Sequence, residues 1–219
     1  MSLVLLTLTK DPLLGSIFGV MLAVDYFIFQ KLPTKINYNQ VPKNTGTAIV
    51  AAMVAFGIFF GVTFGVTLFL QSTAFFQGTI DPSNQFQSIM RHGFAATGLS
   101  AEKPIFADSK ILTYFQFGLV IPIIETRMLI RLLEYLTRSF NVPLTKFSIQ
   151  LGGVYIFLGW LFVILHSNVK GVEDNVALLM TFIFAIVTFE LARRFKEMEA
   201  ATDLHIINNV VFIANKIGF

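Results

Sequence analysis

The stretch TAIVAAMVAFGIFFGVTFGVTLFLQ, residues 47–71, decides the class of this protein. It contains no charged residue and lies inside an uncharged run that extends from Asn44 to Ile80. About 20 predominantly apolar residues are enough for an α-helix to cross the hydrocarbon core of a bilayer. The stretch therefore predicts a transmembrane helix. Small residues recur at every fourth position of it, and we expect this stripe to let another helix approach closely. The stripe consists of Gly57, Gly61 and Gly65.

The composition of the whole chain supports a location in the membrane. Of the 219 residues, 55% are hydrophobic and 13% are charged, with a mean hydropathy of +0.72. A soluble domain carries roughly 25% charged residues. The net charge of +3 is small and scattered, which excludes a nucleic-acid binder with a basic patch. The absence of cysteine excludes a disulfide scaffold, a cysteine–zinc site and a thiol nucleophile.

Further apolar segments predict the rest of the fold. Long, continuous segments favour helices over a membrane β-barrel, whose strands alternate in polarity. We therefore predict an all-α, polytopic transmembrane helix bundle of about six spans, in one membrane-embedded domain comprising residues 1–219. Residues 2–9 are too short to span and are not interpreted as a cleaved signal peptide. We expect a long surface loop or re-entrant segment at 81–110. The other predicted spans are 13–29, 111–131, 147–166, 176–190 and 200–219.

The basic residues predict an orientation, because short loops rich in Lys and Arg stay in the cytoplasm. Three predicted junctions hold ten of the sixteen basic residues. We therefore expect an integral protein of the cell membrane, with its N-terminus outside and these junctions in the cytoplasm. The basic residues of the junctions are Lys31, Lys35, Lys43, Arg127, Arg131, Arg138, Lys146, Arg193, Arg194 and Lys196.

Ionisable side chains inside membrane spans are costly, so each one is a candidate functional residue. Asp25 and Glu190 have no legible partner in the sequence and are interpreted as structural or interfacial. His92 is expected in the long loop. The remaining candidates, Glu125 and two histidines, belong to the three short patterns described next.

Three patterns follow one another in the second half of the chain. The first is Pro-Ile-Ile-Glu-Thr at 122–126, followed by Arg127 and Arg131. The second is Phe162-x-x-x-His166, and the third is His205-x-x-x-Asn209. Residues at i and i+4 share one face of a helix, so both residues of the second pattern point the same way, as do those of the third.

In this order the patterns resemble the CPBP family of intramembrane glutamic proteases, which includes the CAAX prenyl endopeptidases. That family carries P-x-x-E-E-x-x-x-R, then F-x-x-x-H, then H-x-x-x-N. The resemblance covers about residues 112–219 and departs from the family at two positions. Thr126 stands where the family has its second glutamate, and Arg131 lies one residue beyond the position of the family arginine.

The resemblance implies hydrolysis of a peptide bond by a water molecule that a glutamate activates, without a metal or other cofactor. Glu125 would be the general base, and His166 would help to hold the water. His205 and Asn209 would form the oxyanion hole. Arg131 and Phe162 would support the site. The implied partners are the lipids of the membrane and a membrane-associated peptide or protein substrate, with no nucleic acid.

Other interpretations of the same residues remain open. Glu125 can pair with Arg127 or Arg131 near the interface, and His166 can be an interfacial helix end. His205 and Asn209 can instead form hydrogen bonds that join helices. The glutamate and the two histidines can also be zinc ligands, although no H-E-x-x-H is present. A non-catalytic membrane protein, such as an inactive relative, an assembly factor or a transporter subunit, is the alternative function.

The predicted topology raises one geometric question for the protease interpretation. In a plain bundle of six spans, His166 ends one helix on the outer side, whereas His205 starts another near the inner side. The two imidazoles then lie at different depths. They meet only if the helices are tilted or if the last helix starts earlier, near Glu197.

Overall fold

The computed structural model describes residues 23, 45–70, 73, 83–97, 110–170, 172–196 and 198–217. Every regular element among them is helical, which confirms the predicted all-α class. Six helices account for these ranges, and we number them α1 to α6. They are α1 (Thr45–Leu70), α2 (Gln85–Ala96), α3 (110–139), α4 (Ile149–Lys170), α5 (Asn175–Phe195) and α6 (Met198–Ile217).

Three of these helices are long and apolar enough to cross a membrane, namely α1, α4 and α5. They overlap three of the spans that the sequence predicts. The predicted span 13–29 lies outside the described residues, except for Ala23. The predicted spans in α3 and α6 do form helices, but both helices are more polar than the other three. The count of six spans therefore stays a prediction.

Helix α6 is the centre of the bundle, because α1, α2, α3 and α5 all pack against it. Leu204, Phe212 and Ile213 of α6 are completely buried. Helix α4 completes the bundle by packing on α5 and α3. The central position explains how α6 carries polar side chains within a largely apolar protein. His205, Asn208 and Asn209 are buried and face other helices rather than the surroundings of the bundle.

Helix α1 packs through one face and exposes the other. The buried face repeats every three or four residues and includes Ala52, Phe59 and Thr63. Val50 and Met53 are about 60% exposed, as expected of side chains that face lipid. The glycine stripe does not have the role that the sequence predicts for it within the described residues. No heavy atom there lies within 4 Å of a Cβ built on Gly57, Gly61 or Gly65.

Helix α3 changes its winding just before the first sequence pattern. A short α-helical turn, Lys110–Thr113, leads into a π-helical segment, Tyr114–Val120, and then into a long α-helical part, Ile121–Ser139. The backbone N–H of Ile121 donates to the carbonyl of Gln116, five residues earlier. Pro122 follows immediately and has no N–H to donate. The wider winding and the proline together open the backbone hydrogen bonding beside Glu125.

Helix α2 corrects the expectation of a surface loop for residues 85–96, and the alternative of a re-entrant segment at 81–110 stays open. Residues 85–96 are helical, and Asn84 caps the helix by accepting a hydrogen bond from the Gln87 backbone N–H at 3.3 Å. His92 is therefore not an exposed loop residue. It is buried, and its Nδ1 lies 2.5 Å from Oδ2 of Asp174, the N-cap of α5.

Asp174 joins two helices through its carboxylate. One oxygen contacts His92, and the other accepts the backbone N–H of Ala177 at 2.9 Å. Burial raises the pKa of Asp174, but these hydrogen bonds outweigh burial and hold the pKa below its ordinary value. The carboxylate thus caps α5 and ties α2 to it.

Glu190 forms a second polar cluster near the end of α5. Its carboxylate accepts hydrogen bonds from Arg193 at 2.6 and 2.8 Å and from Arg194 at 2.6 Å. The hydroxyl of Tyr155 on α4 donates to the same carboxylate at 3.2 Å. Arg193 also donates to the backbone carbonyl of Leu144, at 3.3 Å. The cluster therefore holds the connection between α3 and α4 against α5.

We expect Gly93→Ala to destabilise the protein, because α2 and α6 meet closely at this glycine. A Cβ at Gly93 would lie 2.2 Å from the ring of Phe212, which is completely buried. Overpacking of this kind costs about 1–3 kcal/mol. Thermal unfolding in detergent measures the effect. Gly57→Ala is the control, since its Cβ would meet no atom of the described residues and alanine is the better helix former.

A second substitution identifies the cause of the destabilisation. Phe212→Leu removes the ring that a Cβ at Gly93 would strike. The double variant Gly93→Ala/Phe212→Leu should therefore be more stable than the sum of the two single changes predicts. Strict additivity would show that the contact between this glycine and the phenylalanine is not as close as the structure has it.

Candidate functional site

The centre of the candidate site is a contact between α3 and α6. Oε2 of Glu125 lies 3.7 Å from Nε2 of His205. Only 5% of Glu125 and 3% of His205 are exposed. The other ring nitrogen of His205, Nδ1, lies 3.0 Å from the hydroxyl of Thr126, which is completely buried. Two consecutive residues of α3 therefore contact opposite sides of one imidazole.

The amide of Asn209 binds the irregular part of α3. Its Nδ2 donates to the backbone carbonyl of Phe117 at 2.8 Å. In a π-helix this carbonyl would accept the N–H five residues later, and that residue is Pro122, which has none. A side chain of α6 thus satisfies a carbonyl that the proline leaves without a helical donor. This is the physical link between the first and the third sequence patterns.

Asn208 fixes the orientation of the neighbouring amide. Its Nδ2 donates to Oδ1 of Asn209 at 3.1 Å. An amide nitrogen carries two hydrogens. Because one hydrogen of Asn209 goes to Phe117, the second remains for a bound group, and no residue in the described part of the chain accepts it. The carbonyl oxygen of Asn208 is buried and likewise has no hydrogen-bond partner there.

His166 on α4 is held by the residue one turn earlier. Its Nδ1 lies 2.9 Å from the backbone carbonyl of Phe162. A carbonyl only accepts, so Nδ1 carries the proton and the neutral ring has its acceptor at Nε2. The ring of Phe162 lies 4.2 Å from that of His166 and 6.4 Å from that of His205, centroid to centroid. Phe162 therefore packs against both imidazoles.

A small cavity connects these polar side chains. Its volume is ≈ 20 Å³, enough for one water molecule. Polar groups from α4, α5, α6 and the end of α2 line it, together with apolar side chains. Glu125 is not among the lining residues and adjoins the cavity through His205. The polar lining consists of Thr97, His166, Thr181, His205, Asn208 and Asn209.

The structure brings most of the candidate residues from the sequence together. Glu125 contacts His205, while His166, His205 and Asn209 line the same cavity. Arg131 is buried on α3, but it lies about 9 Å further along the helix than Glu125 and about 120° around it. The two side chains therefore leave α3 in different directions.

The helix ends of α4 and α6 determine how far along each helix His166 and His205 lie. Helix α6 begins at Met198, so His205 lies about 10 Å into the helix rather than at its start. Helix α4 continues to Lys170, so Ser167 and Asn168 are helical and His166 is not a helix end. His166 is also only 4% exposed, so its side chain is buried within the bundle.

Several groups of the site are not evident in the sequence patterns. The hydroxyl of Thr126, the carbonyl of Phe117 and the amide of Asn208 all contact candidate residues. Phe184 packs its ring 4.8 Å from that of His205. The one available sequence signal was Pro122, which indicates an open carbonyl but does not identify its partner.

Gln116 in the π-helical segment is 2% exposed, and neither polar atom of its side chain has a hydrogen-bond partner in the part that the structure describes. A buried, unsatisfied polar side chain is costly. Burial of Gln116 therefore lowers the folding stability of the segment before Pro122.

The alternative of a zinc site finds no support in the described ranges. No group of three or more His, Asp or Glu side chains there is arranged to hold a metal ion. Glu125 and His205 approach each other, but they do not form such a group with a third ligand.

Comparisons with protein-family models, with curated proteins and with solved structures give no match for this chain.

Proposed function

We propose that the chain hydrolyses peptide bonds within or beside the membrane, using a water molecule that Glu125 activates. The observation that carries the proposal is the buried contact of 3.7 Å between Glu125 and His205, next to a cavity that His166 and Asn209 also line. A carboxylate, two imidazoles and an amide are the groups that this reaction needs. The resemblance of the three sequence patterns to the CPBP family supports the same function.

In the proposed reaction, the Glu125 carboxylate takes a proton from the water as the oxygen attacks the peptide carbonyl carbon. The acceptor nitrogen of His166 orients the water. N–H groups of His205 and Asn209 stabilise the negative oxygen of the tetrahedral intermediate. The C–N bond then breaks, and Glu125 returns its proton to the leaving amine. The products are a new carboxylate and a new amine.

The substrate in this proposal reaches the site from the membrane. Its class is a membrane-associated peptide or protein. The cavity holds one water molecule, so a substrate must displace apolar neighbours such as Phe59, Phe184 or Phe212 to enter. We place the protein in the cell membrane, with the ends of α3 and α5 that carry Arg138, Arg193 and Arg194 in the cytoplasm. Lipids are the other partners, and nucleic acid is not one.

A non-catalytic membrane protein is the second candidate. Two observations favour it: Glu125 does not line the cavity, and Asn209 already has a structural hydrogen bond to Phe117. In that case the polar side chains between α3 and α6 would serve only to join helices, as interhelical hydrogen bonds do in membranes.

A cleavage screen distinguishes the two candidates. The purified chain is reconstituted in liposomes with a library of membrane-associated peptides, with and without a chelator, and products are identified by mass spectrometry. The proposal predicts new C-termini that form equally well in the chelator. No cleavage of any peptide would favour the non-catalytic protein, and cleavage that the chelator abolishes would indicate a metal-dependent reaction.

A further inference from the structure

Thr126 differs from several other buried threonines in what its hydroxyl contacts. The hydroxyls of Thr137, Thr181 and Thr188 each donate to the carbonyl four residues earlier in their own helix, at 2.8–2.9 Å. This is a common bond for a threonine inside a helix. The Thr126 hydroxyl instead lies 3.0 Å from Nδ1 of His205 on another helix. Its hydrogen bond therefore links α3 to α6.

The direction of this bond decides which nitrogen of His205 carries the proton. A hydroxyl has one hydrogen to donate. In the ranges that the structure describes, the Thr126 hydroxyl makes no hydrogen bond to a carbonyl oxygen that could take this hydrogen. Nδ1 of His205 is then the acceptor. An imidazole that accepts at Nδ1 carries its proton on Nε2 when it is neutral.

The opposite side of the ring favours the same state. Nε2 of His205 lies 3.7 Å from a carboxylate oxygen of Glu125. The general-base role proposed for Glu125 requires an ionised carboxylate, whose oxygens only accept, so in that state it attracts an N–H and repels a nitrogen lone pair. Two independent contacts, one at each ring nitrogen, thus agree on a proton at Nε2.

We propose that Thr126 is a positioning residue that holds His205 in the Nε2–H tautomer, with this N–H directed to the carboxylate side of the site. This inference rests on the proposed function for its catalytic meaning, because an oxyanion requires an N–H donor. A glutamate at position 126 would only accept, and would place the proton on Nδ1 instead. The threonine therefore provides the donor that the Nε2–H tautomer needs.

Nitrogen NMR of the whole chain tests the assignment without any substrate. The chain has three histidines, so ¹⁵N-histidine labelling gives few signals, and His92→Gln and His166→Gln identify them. At neutral pH we expect His205 to show a protonated Nε2 and an unprotonated, hydrogen-bonded Nδ1. Thr126→Val should shift the Nδ1 signal away from its hydrogen-bonded position. Thr126→Ser should keep that position.

The matched control for the valine variant is Thr137→Val, on the same helix. Thr137 is also buried, but its hydroxyl bonds only to backbone carbonyls. Its loss should leave the His205 signals unchanged. A proton on Nδ1 of wild-type His205, or on both ring nitrogens, would overturn the assignment. An Nδ1 signal that does not shift in Thr126→Val would overturn it as well. If the valine variant does not fold, the wild-type and serine spectra still decide.

Kinetics then separate this inference from the proposed function. With a cleaved peptide, Thr126→Val should lower kcat about tenfold with little change in KM, the loss expected for one hydrogen bond that acts in the transition state. Thr126→Ser should restore kcat. If His205 has its proton on Nε2 but the chain cleaves no peptide, the proposed function is refuted and the tautomer assignment is retained. An active chain with the proton on Nδ1 would refute the tautomer alone.

Discussion

Glu125→Gln is expected to lower kcat by about 10²–10⁴-fold, the usual contribution of a general base. The amide has nearly the shape of the carboxylate but cannot take a proton from water. KM should change little, because a general base acts in the transition state rather than in substrate binding. Initial rates of peptide cleavage in liposomes measure both quantities.

A second buried glutamate of α3 provides the control. Glu134 is 7% exposed and lies outside the cavity. Glu134→Gln removes a buried charge from the same helix and should keep kcat within a few-fold of the unaltered chain, provided that it folds. Equal losses of activity in the two variants would assign the effect to stability and contradict the role of Glu125.

Asn209→Ala is expected to have the second largest effect, because the proposed reaction gives this residue a role in addition to its hydrogen bond to Phe117. Loss of one oxyanion donor costs about 10²–10³-fold in kcat. The same change leaves the carbonyl of Phe117 without its donor, which costs about 1–3 kcal/mol of folding stability. Cleavage rates and thermal unfolding should therefore both decline.

A double variant separates the two roles of Asn209. Pro122→Ala restores a backbone N–H that can donate to Phe117 five residues earlier. We expect Pro122→Ala/Asn209→Ala to regain most of the lost stability but none of the lost activity. Activity that returns together with stability would show that Asn209 serves only to join the helices.

The sequence predicted the helical class because its signals are local. The apolar run at 47–71 exceeds the length that a membrane span requires, and α1 forms there. The sequence did not predict α2 and placed the start of α6 two residues late, for the opposite reason. Both helices are moderately polar, and their stability depends on partners elsewhere in the chain, such as Asp174 for His92 and Phe117 for Asn209. The hydropathy of a segment does not predict such contacts between distant residues.

The burial of Glu125, His166 and His205 was predictable because charge is scarce in this chain, so each ionisable group in an apolar segment is conspicuous. Their pairing was not predictable. The resemblance grouped Glu125 with His166, whereas the structure gives Glu125 a contact with His205 and places Thr126 on the other side of that ring. The pairing depends on the register between α3 and α6. The π-helical segment and Pro122 influence that register through Phe117, and no periodicity of the sequence encodes it.

Attack by water rather than by the Glu125 carboxylate is the central point of the proposed reaction, and isotope labelling tests it directly. One turnover of a cleaved peptide is carried out in H₂¹⁸O, and the product and the peptide that contains Glu125 are both weighed by mass spectrometry. If Glu125 is a general base, one ¹⁸O atom enters the new carboxylate of the product and none enters Glu125. An ¹⁸O atom in Glu125 with an unlabelled product would mean that the carboxylate attacks the substrate itself, and would contradict the proposed reaction.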